Sequence, residues 1–128
     1  HTTEDRMEGK ILIVDDAAFM RMMIKDTLKS SGYENIIEAA DGEQAIQTYK
    51  NEKPDLVIMD ITMPNKNGLD ALKEIRKMDP NAVIVMCSAM GQESMVVEAI
   101  RNGAKDFIVK PFKSERIIKT VQSIIDRG

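Results

Sequence analysis

Pro54-Asp-Leu-Val-Ile-Met-Asp60-Ile-Thr-Met-Pro64 is a stretch in which an apolar run ends at a carboxylate and a turn begins. The run from Leu56 to Met59 is too short for a helix and too unbroken for a half-exposed strand. It predicts a strand covered on both faces, as in a parallel sheet. Asp60 then lies at the carboxyl end of that strand. Ligands of open α/β sheets bind at this edge, so Asp60 is the first candidate functional residue.

The same pattern of a short apolar run, a turn and a helical period occurs five times along the chain. The predicted strands span residues 10–14, 35–39, 56–59, 82–87 and 106–109. Five such units with short connections predict an α/β fold, a doubly wound, five-stranded parallel sheet with five helices of the flavodoxin-like type. An eight-stranded barrel would need about twice as many residues.

Particular residues mark the predicted helix ends. Gly32 and Gly103 follow the first and fourth helical segments, where glycine commonly ends a helix in the left-handed conformation. Asp16 can cap the first helix, and Asp41 with Gln44 three residues later predicts a capping box for the second. These signals let turns, helices and strands alternate as the predicted fold requires.

The length of 128 residues fits one domain, and we assign residues 10–127 to it. Residues 1–9 are mostly polar, and we interpret them as a flexible leader or an expression remnant. The only histidine, His1, lies in that segment, so a mechanism that needs an internal histidine base is excluded. A single cysteine, Cys87, excludes an internal disulfide and a cysteine-based zinc site.

The composition excludes several classes of partner. The chain is 43% hydrophobic and 30% charged, and its net charge of -3 gives no global attraction to nucleic acids or anionic membranes. No apolar run approaches the roughly 20 residues that span a bilayer, and the first residues do not resemble a secretion signal. We therefore predict a cytoplasmic protein that binds neither nucleic acid nor membrane directly.

Reactive side chains stand at the carboxyl ends of four predicted strands. Asp15 and Asp16 follow the first strand, Asp60 the third, Ser88 the fourth and Lys110 the fifth. Three carboxylates against one amine leave two negative charges uncompensated, and a divalent cation would neutralise them. Oxygen ligands with room for water and phosphate favour Mg²⁺ over Ca²⁺. The sequence therefore predicts a magnesium site at this edge.

A carboxylate beside a metal and a lysine, without a histidine base, suits nucleophilic attack on phosphorus to form an aspartyl phosphate. Asp60 is the best candidate nucleophile. Mg²⁺ and Lys110 would screen the approaching negative charges and hold the phosphoryl oxygens, and Ser88 could donate a hydrogen bond to one of them. The backbone carbonyl of Thr62, two residues after Asp60, is placed to be a further metal ligand.

Each of these residues taken alone has a commoner explanation. Asp15 and Asp16 could be helix caps, Lys110 a surface charge and Ser88 a turn residue. Their occurrence together, at the ends of several strands of one sheet, favours the phosphoryl-transfer site.

Several segments at these strand ends resemble the receiver domains of two-component response regulators. In chain order they are Ile13-Val-Asp-Asp16, Met59-Asp-Ile-Thr-Met-Pro64, Ser88-Ala89 and Phe107-Ile-Val-Lys-Pro-Phe112. The resemblance extends from about Lys10 to the last helix. Two segments, Ala17-Ala-Phe-Met-Arg-Met-Met23 and Ser88-Ala-Met-Gly-Gln92, are more similar still to the stand-alone chemotaxis members of that family.

The resemblance implies a role for each candidate residue. Asp60 would be the phosphoacceptor, and Ser88, Phe107 and Lys110 would form the switch. In such receivers the hydroxyl on strand four moves toward the phosphate, and the aromatic side chain on strand five moves into the vacated space. Phe107 stands where many members have tyrosine. The implied Mg²⁺ ligands are the carboxylates of Asp15, Asp16 and Asp60 and the backbone carbonyl of Thr62.

The resemblance also implies partners. A CheA-like histidine kinase would donate the phosphoryl group, and a target such as the flagellar motor switch protein would bind the face made by helix four, strand five and helix five. A phosphatase is a further expected partner, and the receiver is expected to be a monomer. Such a protein catalyses its own phosphorylation and dephosphorylation, so we interpret it as a signalling switch rather than a metabolic enzyme.

Other interpretations stay open at this point. The chain can be a receiver fragment of a longer transcriptional regulator, or a sporulation-type relay protein. It can also be an Mg²⁺-dependent phosphatase with an aspartate nucleophile, although haloacid-dehalogenase-type hydrolases use Asp-x-Asp where this chain has Asp60-Ile-Thr62. A flavin-binding flavodoxin is disfavoured, because the acidic pair Asp15-Asp16 stands where a phosphate-binding loop would be needed.

Overall fold

The computed structural model describes residues 9–126 of the chain. The leader predicted for residues 1–9 lies outside the described residues except for Gly9, and so does position 127, the last of the predicted domain. Adjacent strands all pair in parallel, in the order β2-β1-β3-β4-β5. The strands are β1 (Ile11–Val14), β2 (Ile36–Ala39), β3 (Leu56–Met59), β4 (Ile84–Ser88) and β5 (Asp106–Val109).

A helix follows each strand, which confirms the predicted flavodoxin-like sheet with five helices. The observed strands differ from the predicted spans by at most two residues at either end, the largest difference being the start of β4. No helix within residues 9–126 is long and apolar enough to cross a bilayer. The helices are α1 (Ala18–Ser30), α2 (Gly42–Glu52), α3 (Gly68–Met78), α4 (Glu93–Arg101) and α5 (Ser114–Ile125).

Helices bury both faces of the sheet. One core cluster joins α1 and α5 to one face and includes Leu28 and Ile117, while the other joins α2, α3 and α4 to the opposite face and includes Leu72. All four residues of β3 are buried, which confirms that this strand is covered on both faces. Each fully buried aliphatic side chain stabilises the fold by about 1.5–3 kcal/mol, so the sheet is a rigid support for its edges.

Most of the predicted helix ends are confirmed. Gly32 and Gly103 follow α1 and α4 with φ angles of 96° and 99°, in the left-handed region that favours glycine. At the start of α2, the Asp41 carboxylate accepts a hydrogen bond of 2.8 Å from the backbone N–H of Gln44. The Gln44 side chain in turn accepts one of 2.9 Å from the N–H of Ala40, the residue before the N-cap, whereas in a capping box the N-cap's own N–H is the donor.

The prediction that Asp16 caps α1 is wrong. Ala17 is the N-cap residue of this helix, and no side chain caps it. The carboxylate of Asp15 instead accepts a hydrogen bond of 2.9 Å from the N–H of Ala17, two residues later. Because Asp15 occupies this turn, the side chain of Asp16 is left exposed to solvent.

The order of the strands determines where a ligand can bind. The chain passes from β1 outward to β2 and then returns past β1 to β3, so β1 and β3 are neighbours at the point where the direction of winding reverses. Clefts in open α/β sheets form at such a point, beyond the carboxyl ends of the strands. Val14 pairs with Met59 across these two strands, so the next residues, Asp15 and Asp60, emerge side by side.

Candidate functional site

Three carboxylates meet at the carboxyl edge between β1 and β3. One oxygen from each of Asp15, Asp16 and Asp60 lies within 4.8 Å of the other two. Asp15 and Asp60 are buried and Asp16 is exposed, so the cluster opens to solvent on one side. The backbone is fixed beneath it, because the N–H of Asp60 donates a hydrogen bond of 2.9 Å to the carbonyl of Val14. This group of oxygen atoms could hold a metal ion, as the sequence predicted.

Lys110 reaches the same cluster from the end of β5. Its Nζ lies 2.6 Å from Oδ2 of Asp15 and 3.5 Å from Oδ2 of Asp60. Burial acts to lower the pKa of Lys110, but the hydrogen bond to Asp15 and the charges of Asp60 and Asp15 outweigh it, so the pKa is raised. The lysine therefore stays positively charged and compensates part of the negative charge.

Asp60 is held in an environment that disfavours its charge. Burial raises the pKa of Asp60, the charge of Lys110 lowers it, and the charge of Asp15 raises it further. The N–H of Ile61 donates a hydrogen bond of 2.7 Å to Oδ1 of Asp60, and the hydroxyl of Ser88 also favours the ionised form. The net result is a raised pKa, so this carboxylate gains from any cation brought beside it.

Ser88 lies at the end of β4, where its side chain is 1% exposed. Its Oγ accepts a hydrogen bond of 3.1 Å from the N–H of Met90, which ties the start of the following loop to the site. The neighbouring Cys87 is also buried, and burial raises the pKa of its thiol to about 12. The hydroxyl of Ser88 thus lies near Asp60, whose pKa it helps to lower, while Cys87 belongs to the core beneath it.

Phe107 and Thr62 do not join the charged cluster through their side chains. The Phe107 ring is buried in the core cluster on the α2, α3 and α4 side of the sheet, on the strand that pairs with β4. The side chain of Thr62 is exposed, between the buried side chains of Ile61 and Met63. The role of the Thr62 carbonyl as a metal ligand and that of Phe107 in a switch stay predictions.

Two residues that support the site escape prediction from the sequence. The Arg21 guanidinium donates a hydrogen bond to the backbone carbonyl of Asp15, and its Nε lies 3.0 Å from Oε1 of Glu38 on β2. Gly68, the first residue of α3, lies so close to Asp60 that a methyl group there would collide with the Asp60 carbonyl oxygen. For Gly68, a glycine at the end of the polar loop of residues 65–68 is a sequence signal that could have indicated a close backbone approach. Nothing in the sequence indicates that Arg21 contacts Asp15.

Comparison with known proteins assigns the family. The family model of the response regulator receiver domain matches residues 11–122. The chain belongs to this family. The receiver is 58% identical to "Chemotaxis protein CheY" of Thermotoga maritima over 92% of this chain and 98% of the relative. It is also 58% identical to "Chemotaxis protein CheY" of Bacillus subtilis, over 94% of this chain and the whole of the relative.

Solved structures agree with this assignment. The receiver superimposes with a TM-score of 0.87 on a CheX-CheY-BeF3-Mg complex from Borrelia burgdorferi, at 40% identity over 90% of this chain and 87% of that one. The response regulator domain of Thermotoga maritima CheB gives a TM-score of 0.81 at 35% identity, over 93% of this chain and 97% of that one. The resemblance seen in the sequence and the predicted fold class are both confirmed.

Replacing Asp60 with Asn is expected to raise the free energy of unfolding at neutral pH in metal-free buffer. The folded protein holds the pKa of Asp60 above the ordinary value of 3.8, so the buried charge destabilises the fold at every pH above the raised pKa. As the pH falls through that pKa the penalty shrinks, and below 3.8 it disappears because both states are protonated. Urea unfolding at a series of pH values should show the two proteins converging in acid.

The exposed neighbour Asp16 provides the control for this experiment. Asp16→Asn removes the same formal charge without relieving burial, so it should leave a much smaller difference from the parent. A stability gain of Asp60→Asn that stayed constant down to about pH 3 would contradict the interpretation, because a titrating carboxylate must lose its effect there.

Proposed function

We propose that this receiver is a phosphorylation-activated response regulator of a chemotaxis system, with Asp60 as its phosphoacceptor. The observation that carries the proposal is the meeting of three carboxylates with Lys110 at one sheet edge. Relatives named as chemotaxis proteins match nearly their whole length to this chain, which supports the choice of pathway. Family membership also favours a signalling switch over the hydrolase and flavodoxin alternatives.

Asp15, Asp16 and Asp60, with the backbone carbonyl of Thr62, are proposed to hold Mg²⁺. All four ligands are oxygen atoms, which suits a hard divalent cation. The exposed side of the cluster, at Asp16, leaves room for water and for a phosphoryl oxygen. When bound, Mg²⁺ would neutralise charge on the carboxylates and on the incoming phosphoryl group.

Phosphoryl transfer would then use groups that are already in place. A carboxylate oxygen of Asp60 attacks the phosphorus of a phosphohistidine or of acetyl phosphate. The bond from phosphorus to the leaving group breaks, and the leaving group departs with the electron pair. Lys110, 3.5 Å from the Asp60 carboxylate, can pair with a phosphoryl oxygen without a large movement. Transfer to water would reverse the modification, so the receiver catalyses both steps on itself.

The switch is proposed to run from Ser88 to Phe107. A phosphoryl group on Asp60 offers the Ser88 hydroxyl a stronger acceptor than the carboxylate does. Movement of Ser88 would displace the loop tied to it through Met90, and the Phe107 ring on the adjacent strand would repack into the space that is left. The phosphoryl group biases this equilibrium only because it binds one arrangement better than the other.

The face made by α4, β5 and α5 is proposed to bind the target, a flagellar motor switch protein. Val97, Ile100 and Val109 on this face are 39%, 47% and 48% exposed, so it offers apolar contacts. Val97 and Ile100 lie on α4, the helix that follows Ser88, and Val109 lies on β5, the strand that carries Phe107. A change at the switch would therefore reach the target face directly.

We propose that the protein acts as a cytoplasmic monomer, with a phosphatase as a further partner.

A CheA-like histidine kinase is the proposed phosphoryl donor, and it would dock over the start of α1. Phe19, Met22 and Met23 are 66%, 51% and 37% exposed on that helix. Phe19 lies three residues after Asp16, the exposed member of the cluster. A phosphohistidine can approach Asp60 only from this open side, so the surface that carries it must cover neighbouring residues of α1.

Mg²⁺ binding should weaken by about tenfold or more in Asp16→Ala, because one of the three carboxylates is lost. Isothermal titration calorimetry with Mg²⁺ measures this directly. Asp26→Ala is the matched control, since Asp26 is an exposed acidic residue of α1 farther from the cluster. Equal affinities for the parent and Asp16→Ala would rule out the proposed metal site.

Incubation with acetyl phosphate and Mg²⁺ should add one phosphoryl group to the parent, as read from the intact mass. Asp60→Asn should gain none, because an amide oxygen does not form the acyl phosphate. Labelling of Asp60→Asn to the level of the parent would show that the phosphoacceptor is another residue. Continuous release of phosphate from many phosphomonoesters would favour the hydrolase instead.

Phe19→Ala should slow phosphotransfer from the phosphorylated histidine domain of a kinase by roughly tenfold, the effect of losing a little over 1 kcal/mol at an interface. Labelling by acetyl phosphate should be unchanged, because the small donor needs no docking surface. Val109→Ala is the control on the other face and should leave both rates intact. Equal slowing with the two donors would mean that Phe19 supports the site and not the partner.

A further inference from the structure

The loop between β3 and α3, residues 60–67, carries both the phosphoacceptor and the proposed carbonyl ligand of Thr62. In its first half the side chains of Ile61 and Met63 are buried, while Thr62 between them is exposed. The N–H of Gly68 closes the loop with a hydrogen bond of 2.7 Å to the carbonyl of Ile61. The second half, from Pro64 onward, is exposed or half-exposed and needs another anchor.

That anchor is the start of α2, which belongs to a different strand-helix unit. The Asn65 side-chain amide donates a hydrogen bond of 2.8 Å to Oδ2 of Asp41. One residue further along each segment, the N–H of Gly42 donates one of 3.0 Å to the carbonyl of Lys66. The other oxygen of Asp41 accepts the capping hydrogen bond from Gln44. One buried carboxylate thus joins the helix cap to the loop of the phosphoacceptor.

The local geometry is adapted to this junction. Asn65 has a φ angle of 67°, in the left-handed region that asparagine tolerates better than most residues. A methyl group at Gly42 would collide with the Lys66 carbonyl, so only glycine lets the two segments approach this closely. The capping N–H of Gln44 and the Asn65 amide lower the pKa of Asp41, so both of its oxygens act as acceptors at neutral pH.

We propose that Asp41 and Asn65 are positioning residues for phosphoryl transfer, whose hydrogen bond holds the β3–α3 loop in the geometry that metal binding requires. The inference rests on the proposed function, because it assumes that Thr62 and Asp60 are metal ligands. A metal site tolerates ligand displacements of only about half an ångström. Asn65 is three residues from Thr62 and five from Asp60, so freedom at Asn65 would reach both.

Capping of α2 alone would also explain Asp41, and a charge exchange separates the two explanations. Asn65→Asp places a second carboxylate against Asp41, which breaks the hydrogen bond while leaving the cap intact. Aspartate tolerates the left-handed conformation, so the backbone is not strained. The double variant Asp41→Asn with Asn65→Asp restores a donor facing an acceptor with the two roles exchanged. Asparagine is as good an N-cap as aspartate, so α2 stays capped.

Mg²⁺ affinity by calorimetry and the rate of labelling by acetyl phosphate at subsaturating Mg²⁺ should both fall about tenfold in Asn65→Asp. The double variant should return to within about twofold of the parent. A fall in the Mg²⁺ affinity of Asn65→Asp is informative, because an added carboxylate near the cluster would by itself strengthen Mg²⁺ binding. Asn65→Gly, which permits the left-handed backbone and removes the side-chain amide, should behave like Asn65→Asp.

Tyr49→Phe controls for a general loss of stability. It removes the hydrogen bond of 2.7 Å from the Tyr49 hydroxyl to Asp79, where α2 meets the end of α3, and should lower the unfolding free energy without changing Mg²⁺ affinity. The inference is overturned if Asn65→Asp and Asn65→Gly bind Mg²⁺ like the parent, or if the double variant does not recover. Failure of the parent to accept phosphate would overturn the proposed function instead. The Mg²⁺ affinities would still decide the role of the hydrogen bond between Asp41 and Asn65.

Discussion

The repulsion between three carboxylates gathered at one edge of the sheet is the constraint on which the rest of this structure depends. Asp15 and Asp60 are buried together, and a single lysine, Lys110, compensates only part of their charge. Burial raises the pKa of Asp60, so the folded protein keeps this site at a cost in stability. On the proposed function, a cation bound at the cluster would relieve that cost by neutralising part of the charge. A site that is unfavourable when empty responds strongly to its ligands.

The sheet makes such an arrangement possible because the residues that form the core and the residues that form the site occupy different parts of the fold. The strands and the inner faces of the helices form two apolar clusters, and the charged residues follow directly where the buried strands end. Parallel pairing brings the ends of β1 and β3 together, and Lys110 reaches across from β5. Short-range hydrogen bonds, such as those from Ile61 to Asp60 and from Met90 to Ser88, then fix the loops on this rigid base. The geometry of these loops is therefore set by the sheet edge beneath them.

The sequence was sufficient for the features that depend on local patterns, and insufficient for those that depend on distant pairs. The apolar run before Asp60 predicted a buried strand, and parallel topology then required Asp15, Ser88 and Lys110 to share its edge. The predicted positions of the strand ends were less exact, because a residue at the end of a strand has fewer neighbours that define the alternation of apolar and polar positions. The contact between Asp41 and Asn65 joins residues 24 apart in different units, and no periodicity encodes it. The prediction that Asp16 caps α1 was wrong because two adjacent aspartates compete for one turn. Only the structure shows that Asp15 occupies it.

Cys87 gives the receiver a practical property. Its thiol is buried under the sheet edge, and its pKa of about 12 leaves almost no thiolate at neutral pH. Thiol-directed reagents should therefore react little with the cysteine of this receiver, which lies next to Ser88. A cysteine introduced on the surface of α4 or α1 would then be the reactive thiol of this receiver. Fluorophores or spin labels could then report on either face without a cysteine-free background having to be built first.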